Sequence, residues 1–451
     1  MTGTQERLFG TDGIRGLAGQ FPLDTKTVST IGASLARLMD EKTGRPGRFM
    51  IGRDTRESGP DIEQAFAAGV LSAGAECESA GVITTPGVAF LTGKLGFDAG
   101  VVVSASHNPF RDNGIKVFLP SGRKLDEKTE KRIEADIFAG INGPLAAHAS
   151  STDASRAVEF RQIYLNHLAA QADRPLDGLR IVLDCANGAA SDLAPELFAG
   201  LGASVVTISN APDGRNINLD CGSLHLGTLR DRVIEEEADF GAAFDGDADR
   251  ALFVDEKGNI IDGDATLWVM AQYLLDRGGL ESRTVVATVM SNIGLEISLA
   301  AKDVKLIRTP VGDKYVLDEL LKTGCELGGE QSGHIIFPRK SLVGDGMLTT
   351  LLFLEAITAR NQSASEAVEG FARYPQVLVN VTVSEKRPFH DVPEIASAAK
   401  SLEDALHGDG RLLLRYSGTE NLARVMIEGK DQAVIEKQAN ELARVIKERL
   451  G

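Results

Sequence analysis

Short apolar runs alternate along the chain with longer segments in which apolar residues recur with the period of a helix. Runs of the first kind are typical of buried strands, and segments of the second kind are typical of amphipathic helices. The clearest buried strand is Ala99–Val103, and an amphipathic helix is predicted over residues 26–41. The alternation of the two predicts an α/β fold.

The order strand, polar loop, helix, strand occurs three times, beginning near residues 48, 180 and 284. Similar units that follow one another indicate three related α/β domains with mixed sheets. From residue 377 the order becomes strand, helix, strand, strand, helix, which predicts a C-terminal α+β domain. The small, polar stretch 147–157 is typical of a linker. The predicted domains are residues 1–155, 156–257, 258–372 and 373–451.

Composition narrows the class of protein. The 451 residues are 43% hydrophobic, and the net charge of −16 argues against nucleic acid or an anionic membrane as a partner. The four cysteines are scattered, as expected of reduced thiols in a cytoplasmic protein. Residues 1–20 are polar and do not resemble a signal peptide, and no apolar run reaches the ~20 residues of a membrane span.

The strand Ala99–Val103 runs into Ser104-Ala-Ser-His-Asn-Pro109, which we call the serine loop. Open α/β sheets bind ligands at the C-terminal ends of their strands. We therefore expect Ser106 to present an exposed hydroxyl that can carry a transferred group, with His107 beside it and Lys116 supplying positive charge. The alternative is a polar turn after a core strand.

Three carboxylates alternate with small residues in Asp245-Gly-Asp-Ala-Asp-Arg250, the acidic loop. Small spacers let such a loop curl so that the oxygens of Asp245, Asp247 and Asp249 converge on a hard cation. The alternative is a solvated acidic turn. A calcium EF-hand is excluded because Arg250 stands where that loop needs glycine and because the flanks read as strands. Mg²⁺ sharing a phosphate oxygen fits better.

Three further loops carry polar groups. Phe9-Gly-Thr-Asp-Gly-Ile-Arg-Gly16 is predicted to be a tight loop that presents Arg15. In the glycine-bracketed loop, residues 328–334, Glu330 and Ser332 could bind sugar hydroxyls, although a polar turn is the alternative. Residues 415–424, which we call the arginine hairpin, combine hydroxyl groups with two arginines, a set that suits a phosphate dianion. The alternative is a β-hairpin whose polar side chains have no ligand. The sequence has no Walker A motif, so phosphoryl transfer need not start from ATP.

Together these five motifs, in this order, resemble the α-D-phosphohexomutase family from Phe9 to Glu420. The resemblance implies a four-domain, heart-shaped enzyme in which one loop from each domain surrounds a central cleft. It also implies a Mg²⁺ site and a hexosamine phosphate substrate. We expect one Mg²⁺ per subunit and a monomer or homodimer.

The resemblance also assigns roles to residues. Ser106 would be the phosphorylated serine, and Asp245, Asp247 and Asp249 would hold Mg²⁺ together with the phosphoserine. Our own mechanistic hypothesis adds that Arg15 and Lys116 stabilise charge on the moving phosphoryl group and that Lys116 or His107 is the base that takes the hydroxyl proton. The implied substrate-binding residues are Arg250, Glu330, Ser332, Arg415, Ser417, Gly418, Thr419 and Arg424.

The implied reaction interconverts glucosamine 6-phosphate and glucosamine 1-phosphate, with glucosamine 1,6-bisphosphate as intermediate and activator. Its product would feed the synthesis of UDP-N-acetylglucosamine and of the bacterial cell wall. Gln331, and the segment 309–316, resemble the glucosamine branch of the family. The alternatives are a phosphomannomutase/phosphoglucomutase of the same family and a sugar-phosphate sensor without catalytic activity.

Overall fold

The computed structural model describes residues 7–140, 154–406, 408–417 and 420–451. The chain forms two compact units: Met1–Thr288 with Ile307–Glu369, and Val289–Leu306 with Gly370–Gly451. Across the described ranges, no helix combines the length and the apolar character needed to cross a membrane.

The first sheet of the larger unit has six strands and carries the serine loop. Its elements, in chain order, are β1 (Phe9–Gly10), β2 (Gly13–Leu17), α1 (Thr25–Thr43), β3 (Arg48–Arg53), α2 (Gly59–Ser72), β4 (Glu76–Val82), α3 (Thr85–Lys94), β5 (Ala99–Val103), β6 (Asp112–Phe118) and α4 (Glu127–Phe138). The strand order is β1-β2-β6-β5-β3-β4. Strand β5 is buried throughout and lies between its parallel neighbour β3 and its antiparallel neighbour β6, so the serine loop leaves the middle of the sheet.

The second sheet of the same unit carries the acidic loop. Its elements are α5 (Ala157–Ala169), β7 (Arg180–Asp184), α6 (Leu193–Gly200), β8 (Ser204–Ile208), α7 (Gly227–Glu235), β9 (Phe240–Phe244), β10 (Ala251–Asp255) and β11 (Ile260–Ile261). The strand order is β11-β10-β9-β7-β8. Strands β9 and β10 pair antiparallel, with Phe244 opposite Ala251, and the acidic loop closes this hairpin.

The third sheet follows the order β13-β12-β14-β15. Its strands and the helices around it in the chain are α8 (Gly263–Asp276), β12 (Thr284–Thr288), α9 (Ile293–Ala300), β13 (Lys305–Thr309), α10 (Asp313–Thr323), β14 (Gly328–Gly329), β15 (Ile335–Ile336), α11 (Gly346–Arg360) and α12 (Ala364–Ala367). The glycine-bracketed loop begins with β14 and leads into β15, and these two strands pair antiparallel.

The smaller unit contains a three-stranded antiparallel sheet in the order β16-β18-β17. Its elements are α9, which lies in the segment Val289–Leu306, and β16 (Gln376–Thr382), α13 (Pro393–Leu406), β17 (Arg411–Tyr416), β18 (Leu422–Glu428) and α14 (Gln432–Leu450). The apolar faces of α13, α14 and the sheet share one core, which includes Ile395, Val425 and Ile446. This part is α+β, so the predicted fold class is confirmed.

One element differs from its prediction. The glycine-rich motif at residues 9–16 is not a loop but a hairpin of β1 and β2, in which Phe9 pairs with Ile14. Both side chains are buried in the core of the first sheet, so the apolar pair holds the glycines in strands. Arg15 therefore projects from strand β2. The predicted linker 147–157 lies mostly outside the described residues, and the domain boundaries stay predictions.

Candidate active site

The serine loop begins where β5 ends, and it holds its central serine in an unusual conformation. Ser106 has a φ of 53°, in the left-handed region, and its amide donates to the Ser104 hydroxyl at 2.9 Å. The Ser106 side chain is fully buried, and its hydroxyl donates to Asp245 Oδ2 at 2.5 Å. The expectation of an exposed hydroxyl is therefore wrong, because the acidic loop packs directly against the serine.

The acidic loop brings its three carboxylates together. One oxygen from each of Asp245, Asp247 and Asp249 lies within 4.8 Å of the others, and all three residues are buried. Burial excludes the solvated acidic turn. Within the described part of the chain, Asp247 Oδ1 is buried and has no hydrogen-bond partner. A buried, unpaired carboxylate oxygen needs a positive partner, so the cluster fits a metal ion.

Lys116, on β6, is the main cation beside these carboxylates. Its Nζ lies 2.8 Å from Asp247, 3.3 Å from Asp249 and 2.9 Å from Asp12. Burial opposes the charge on this ammonium group, but the three carboxylates raise its pKa well above the ordinary lysine value. In this arrangement Lys116 is protonated and supplies a fixed positive charge.

The carboxylates of the cluster differ in their tendency to ionise. Burial, reinforced by Asp249 and Asp247, raises the pKa of Asp245 well above its usual value. Burial also opposes ionisation of Asp249, but Lys116 and then His334 outweigh it and lower the pKa of that group. The cluster therefore gathers negative charge around Lys116, while Asp245 is the carboxyl group that accepts from Ser106.

His107 lies between the serine and an arginine of the acidic loop. Its Nδ1 is 3.3 Å from Ser106 Oγ and 3.2 Å from Arg250 Nη1. Burial, with the positive charges of Arg250 and Arg15, lowers the pKa of His107 to about 4. The imidazole is therefore neutral near pH 7 in this arrangement.

Sequence reasoning missed a chain of ionic groups that continues from this cluster. Asp12 Oδ1 contacts Lys124 Nζ at 2.5 Å, and the same Nζ lies 2.6 Å from Asp313. His334 is buried, with Nδ1 3.7 Å from Asp249 and Nε2 3.9 Å from Asp313. Asp12 and His334 stand inside or beside recognised motifs, which was the available signal. Lys124 lies in no such motif, and its partners are distant in the sequence, so no sequence signal pointed to it.

A cavity of about 470 Å³ opens beside these groups. It unites five of the residues expected from the sequence with three of the missed ionic groups, Asp12, Asp313 and His334. Its lining residues are Leu8, Gly10, Thr11, Asp12, Gly13, Arg15, His107, Asp249, Arg250, Val311, Gly312, Asp313, Glu330 and His334. The size and the mixture of charges suit a small, charged ligand.

The glycine-bracketed loop reaches this cavity through one carboxylate. Glu330 lines the cavity, and its Oε1 accepts from the Gly312 amide at 3.1 Å. The Gln331 amide nitrogen instead donates to Asp264 Oδ2, at 3.1 Å, so that side chain braces the loop against α8. Ser332 is half-buried on the same turn and is not among the residues that line the cavity.

The arginine hairpin belongs to the smaller unit. Arg415 on β17 and Arg424 on β18 are direct cross-strand partners. Like charges placed opposite each other repel, and burial followed by Arg424 lowers the pKa of Arg415. An anion between the two arginines would relieve this repulsion. Ser417 is buried at the end of β17, while Gly418 and Thr419 lie outside the described residues.

Comparison with protein families identifies the class of protein. Four domain models match in chain order: phosphoglucomutase/phosphomannomutase alpha/beta/alpha domains I (residues 6–143), II (162–258) and III (262–374), and the C-terminal domain (378–445). The chain belongs to this phosphohexomutase family, and the resemblance seen in the motifs is confirmed.

Similar proteins of known name point to one branch of that family. A phosphoglucosamine mutase of Solibacter usitatus is 49% identical over 444 residues, covering 98% of this chain and 99% of the relative. A phosphoglucosamine mutase of Caldicellulosiruptor saccharolyticus is 46% identical over 450 residues, covering 99% of this chain and all of the relative.

Solved structures share the fold. A phosphoglucomutase/phosphomannomutase family protein of Burkholderia thailandensis superimposes with a TM-score of 0.79 at 24% identity, covering 98% of this chain and 97% of that one. N-acetylphosphoglucosamine mutase of Aspergillus fumigatus, solved with GlcNAc-6P and magnesium, gives 0.67 at 20% identity, covering 98% of this chain and 95% of that one.

Proposed function

We propose that the protein is an isomerase that interconverts glucosamine 6-phosphate and glucosamine 1-phosphate, and that Ser106 carries the transferable phosphoryl group. The observation that carries the proposal is the contact between the Ser106 hydroxyl and the buried carboxylate cluster beside a cavity of about 470 Å³. The names of the similar full-length proteins support the choice of glucosamine phosphate.

Asp245, Asp247 and Asp249 are the residues that would hold Mg²⁺, with an oxygen of the phosphorylated Ser106 completing the set. The buried, unpaired Asp247 Oδ1 supports this assignment. When bound, the metal neutralises charge on the phosphoryl oxygens. Phosphoryl transfer depends chiefly on positioning and electrostatics, which explains why the remaining groups of the site are charged and buried.

The reaction consists of two phosphoryl transfers. In the first, the phosphorus–oxygen bond to Ser106 breaks and a bond forms to the free hydroxyl of the substrate, which yields the 1,6-bisphosphate. In the second, the other phosphoryl group returns to Ser106, and the isomeric monophosphate leaves. Arg15 and Lys116 stabilise charge on the moving group. His107 Nδ1, 3.3 Å from Ser106 Oγ, is placed for proton exchange at the serine. Lys116, the other predicted base, is held protonated by its three carboxylate neighbours, so we assign it only the stabilisation of charge.

Substrate binding is assigned to two sets of residues. Glu330, which lines the cavity, and Ser332 bind sugar hydroxyls, and Arg250 binds the substrate beside the acidic loop. The phosphate that is not transferred is bound by the arginine hairpin of the smaller unit. Its assigned residues are Arg415, Ser417, Gly418, Thr419 and Arg424.

The decisive experiment compares kcat/KM for glucosamine 6-phosphate, glucose 6-phosphate and mannose 6-phosphate, with a hexose 1,6-bisphosphate supplied as activator. We expect glucosamine 6-phosphate to be preferred. Faster turnover of glucose or mannose phosphate would replace the proposal with a phosphomannomutase/phosphoglucomutase. Intact mass tests the sensor alternative, since the enzyme gains about 80 Da on phosphorylation and a sensor does not. Location in the cytoplasm and the monomeric or dimeric state stay predictions.

Removing the hydroxyl of Thr85 is expected to weaken metal binding. That hydroxyl donates to Asp247 Oδ2 at 2.5 Å, and the Thr85 amide donates to the Asp247 carbonyl at 3.0 Å. The first contact orients the carboxylate so that Oδ1 stays unpaired. Changes to groups that orient a metal ligand typically cost about 10- to 100-fold in affinity. We expect that loss for Mn²⁺ in Thr85→Val, measured by electron paramagnetic resonance.

A matched control for this experiment lies in the same helix. Thr92 is also buried on α3, and its hydroxyl donates to the Val88 carbonyl at 2.7 Å. Thr92→Val removes the same atoms away from the acidic loop and is expected to bind Mn²⁺ normally, while Thr85→Ser restores affinity. Equal affinities for Thr85→Val and Thr92→Val would contradict the orienting role.

Replacing Arg415 by alanine is expected to act on substrate binding. A hydrogen bond to a charged group is worth ~1.5–3 kcal/mol, so KM should rise roughly 10- to 150-fold. The phosphorylated fraction of Ser106, measured by intact mass, should stay unchanged because the arginine hairpin is assigned to the phosphate that is not transferred. Lys437→Ala, on the exposed face of α14, is the control. Loss of phosphoserine with an unchanged KM would contradict the assignment.

A further inference from the structure

The backbone of Ser106 adopts a conformation that is unfavourable for a residue with a side chain. Its φ of 53° lies in the left-handed region, which costs energy for a residue with a Cβ. Strain of this kind persists only where surrounding groups hold the backbone in place. The groups that hold the serine loop therefore decide where the Ser106 hydroxyl points.

Two side chains, one from the segment after β3 and one from the segment after β8, hold the loop through the same pair of carbonyl groups. Arg56 Nη2 donates to the carbonyls of Ser106, at 3.1 Å, and of Asn108, at 2.6 Å. Asn218 Nδ2 donates to the same two carbonyls, at 2.9 and 3.1 Å. Each of the two side chains therefore donates from one nitrogen to both carbonyls, and together they fix the backbone on both sides of His107.

The Arg56 side chain is itself held rigidly. It is fully buried and forms an ion pair with Asp54, which is buried as well. Asp54 Oδ1 also accepts from the Arg56 amide at 3.0 Å, and the Asp54 amide donates to the carbonyl of Val103, the last residue of β5. A buried ion pair contributes little net stability by itself. The ion pair instead fixes the position of the Arg56 side chain, which donates hydrogen bonds to the serine loop.

Asn218 is held from the other side. Its φ of 57° is left-handed, a region that asparagine tolerates better than most residues, and its amide donates to the Ala186 carbonyl at 2.9 Å. Next to it, Gly246 of the acidic loop packs so closely that a Cβ there would lie 2.6 Å from the Ser106 carbonyl oxygen. Only glycine allows this approach, which brings Asp245 to the serine hydroxyl.

We propose that Arg56 and Asn218 are positioning residues, which hold the Ser106 hydroxyl in the orientation that phosphoryl transfer requires. The inference rests on the proposed function, because it assumes that Ser106 is phosphorylated. Each catalytic cycle removes and returns a phosphoryl group at the same oxygen, so that oxygen must be aligned twice. Misplacement by about 1 Å can cost on the order of 100-fold in rate.

The test replaces Asn218 by glycine, which keeps the left-handed backbone and removes both hydrogen bonds. We expect kcat to fall about 10- to 100-fold while KM for glucosamine 6-phosphate stays unchanged. Transfer of phosphate from a hexose 1,6-bisphosphate to the dephosphorylated protein, followed by intact mass, should slow by a similar factor. Mn²⁺ affinity should stay normal, because the three aspartates are unchanged.

The matched control is Asn361→Gly. Asn361 is exposed at the end of α11 and has a φ of 51°, so the change places the same extra backbone freedom away from the serine loop. Its kcat is expected to be unchanged. Arg56→Lys keeps the buried positive charge but removes the Nη2 group that donates to both carbonyls. This variant should lower kcat without raising KM.

The outcomes separate the two claims. If the unmodified protein turns over substrate and Asn218→Gly does so at the same rate, the positioning role is wrong and the proposed function stands. A rise in KM at unchanged kcat, or an equal loss in Asn361→Gly, would also overturn the positioning role. If the unmodified protein neither gains phosphate on Ser106 nor turns over any hexose phosphate, the proposed function fails and this inference fails with it.

Discussion

Ser106→Ala is expected to lower turnover of glucosamine 6-phosphate by a factor on the order of 10³ or more, because it removes the oxygen that accepts and returns the phosphoryl group. The change also removes the hydrogen bond to Asp245 Oδ2, which spans 2.5 Å. The measurement is a coupled assay with a hexose 1,6-bisphosphate supplied as activator.

The fold of this variant should be unaffected, since only one atom is lost and alanine has the same backbone preferences at a φ of 53°. Thermal unfolding provides the check. Ser72→Ala is a suitable control, because Ser72 is exposed at the end of α2. Near-normal activity in Ser106→Ala, with the activator present, would rule out the phosphoserine mechanism.

Asp247→Asn is expected to weaken metal binding and activity together. Asp247 Oδ2 already accepts from Thr85 and Lys116, and Oδ1 is the buried, unpaired oxygen of the cluster. The substitution removes a full charge from a site whose other ligands cannot replace it. We expect Mn²⁺ affinity to fall at least about 100-fold, beyond the usual effect of groups that only orient a ligand.

Two measurements check this prediction: a Mn²⁺ titration and the dependence of kcat on Mg²⁺ concentration. Asp231→Asn is the control, because Asp231 lies exposed on α7 and pairs only with its neighbour Arg230 among the described ion pairs. Unchanged activity of Asp247→Asn without added metal would make the acidic loop a structural element.

Much of the fold can be predicted from the local pattern of apolar and polar residues along the chain. The five apolar residues of β5 predict their strand, and the apolar flanks of the acidic loop predict β9 and β10, because period and composition act over short stretches of chain. The same holds for the candidate site, since five short motifs in a fixed order were enough to indicate the family that the comparisons confirm.

The sequence by itself therefore determined the α/β order, the acidic loop between two strands, and Ser106 at the end of a third. Only the tertiary structure decided that Ser106 is buried, since this depends on Gly246 approaching its carbonyl. Lys116 likewise meets Asp247 across 131 positions of sequence, and Asn218 meets Ser106 across 112. Such contacts form only when whole sheets pack against one another. Local hydrophobic periodicity and secondary-structure propensity do not specify contacts between residues so far apart in the sequence.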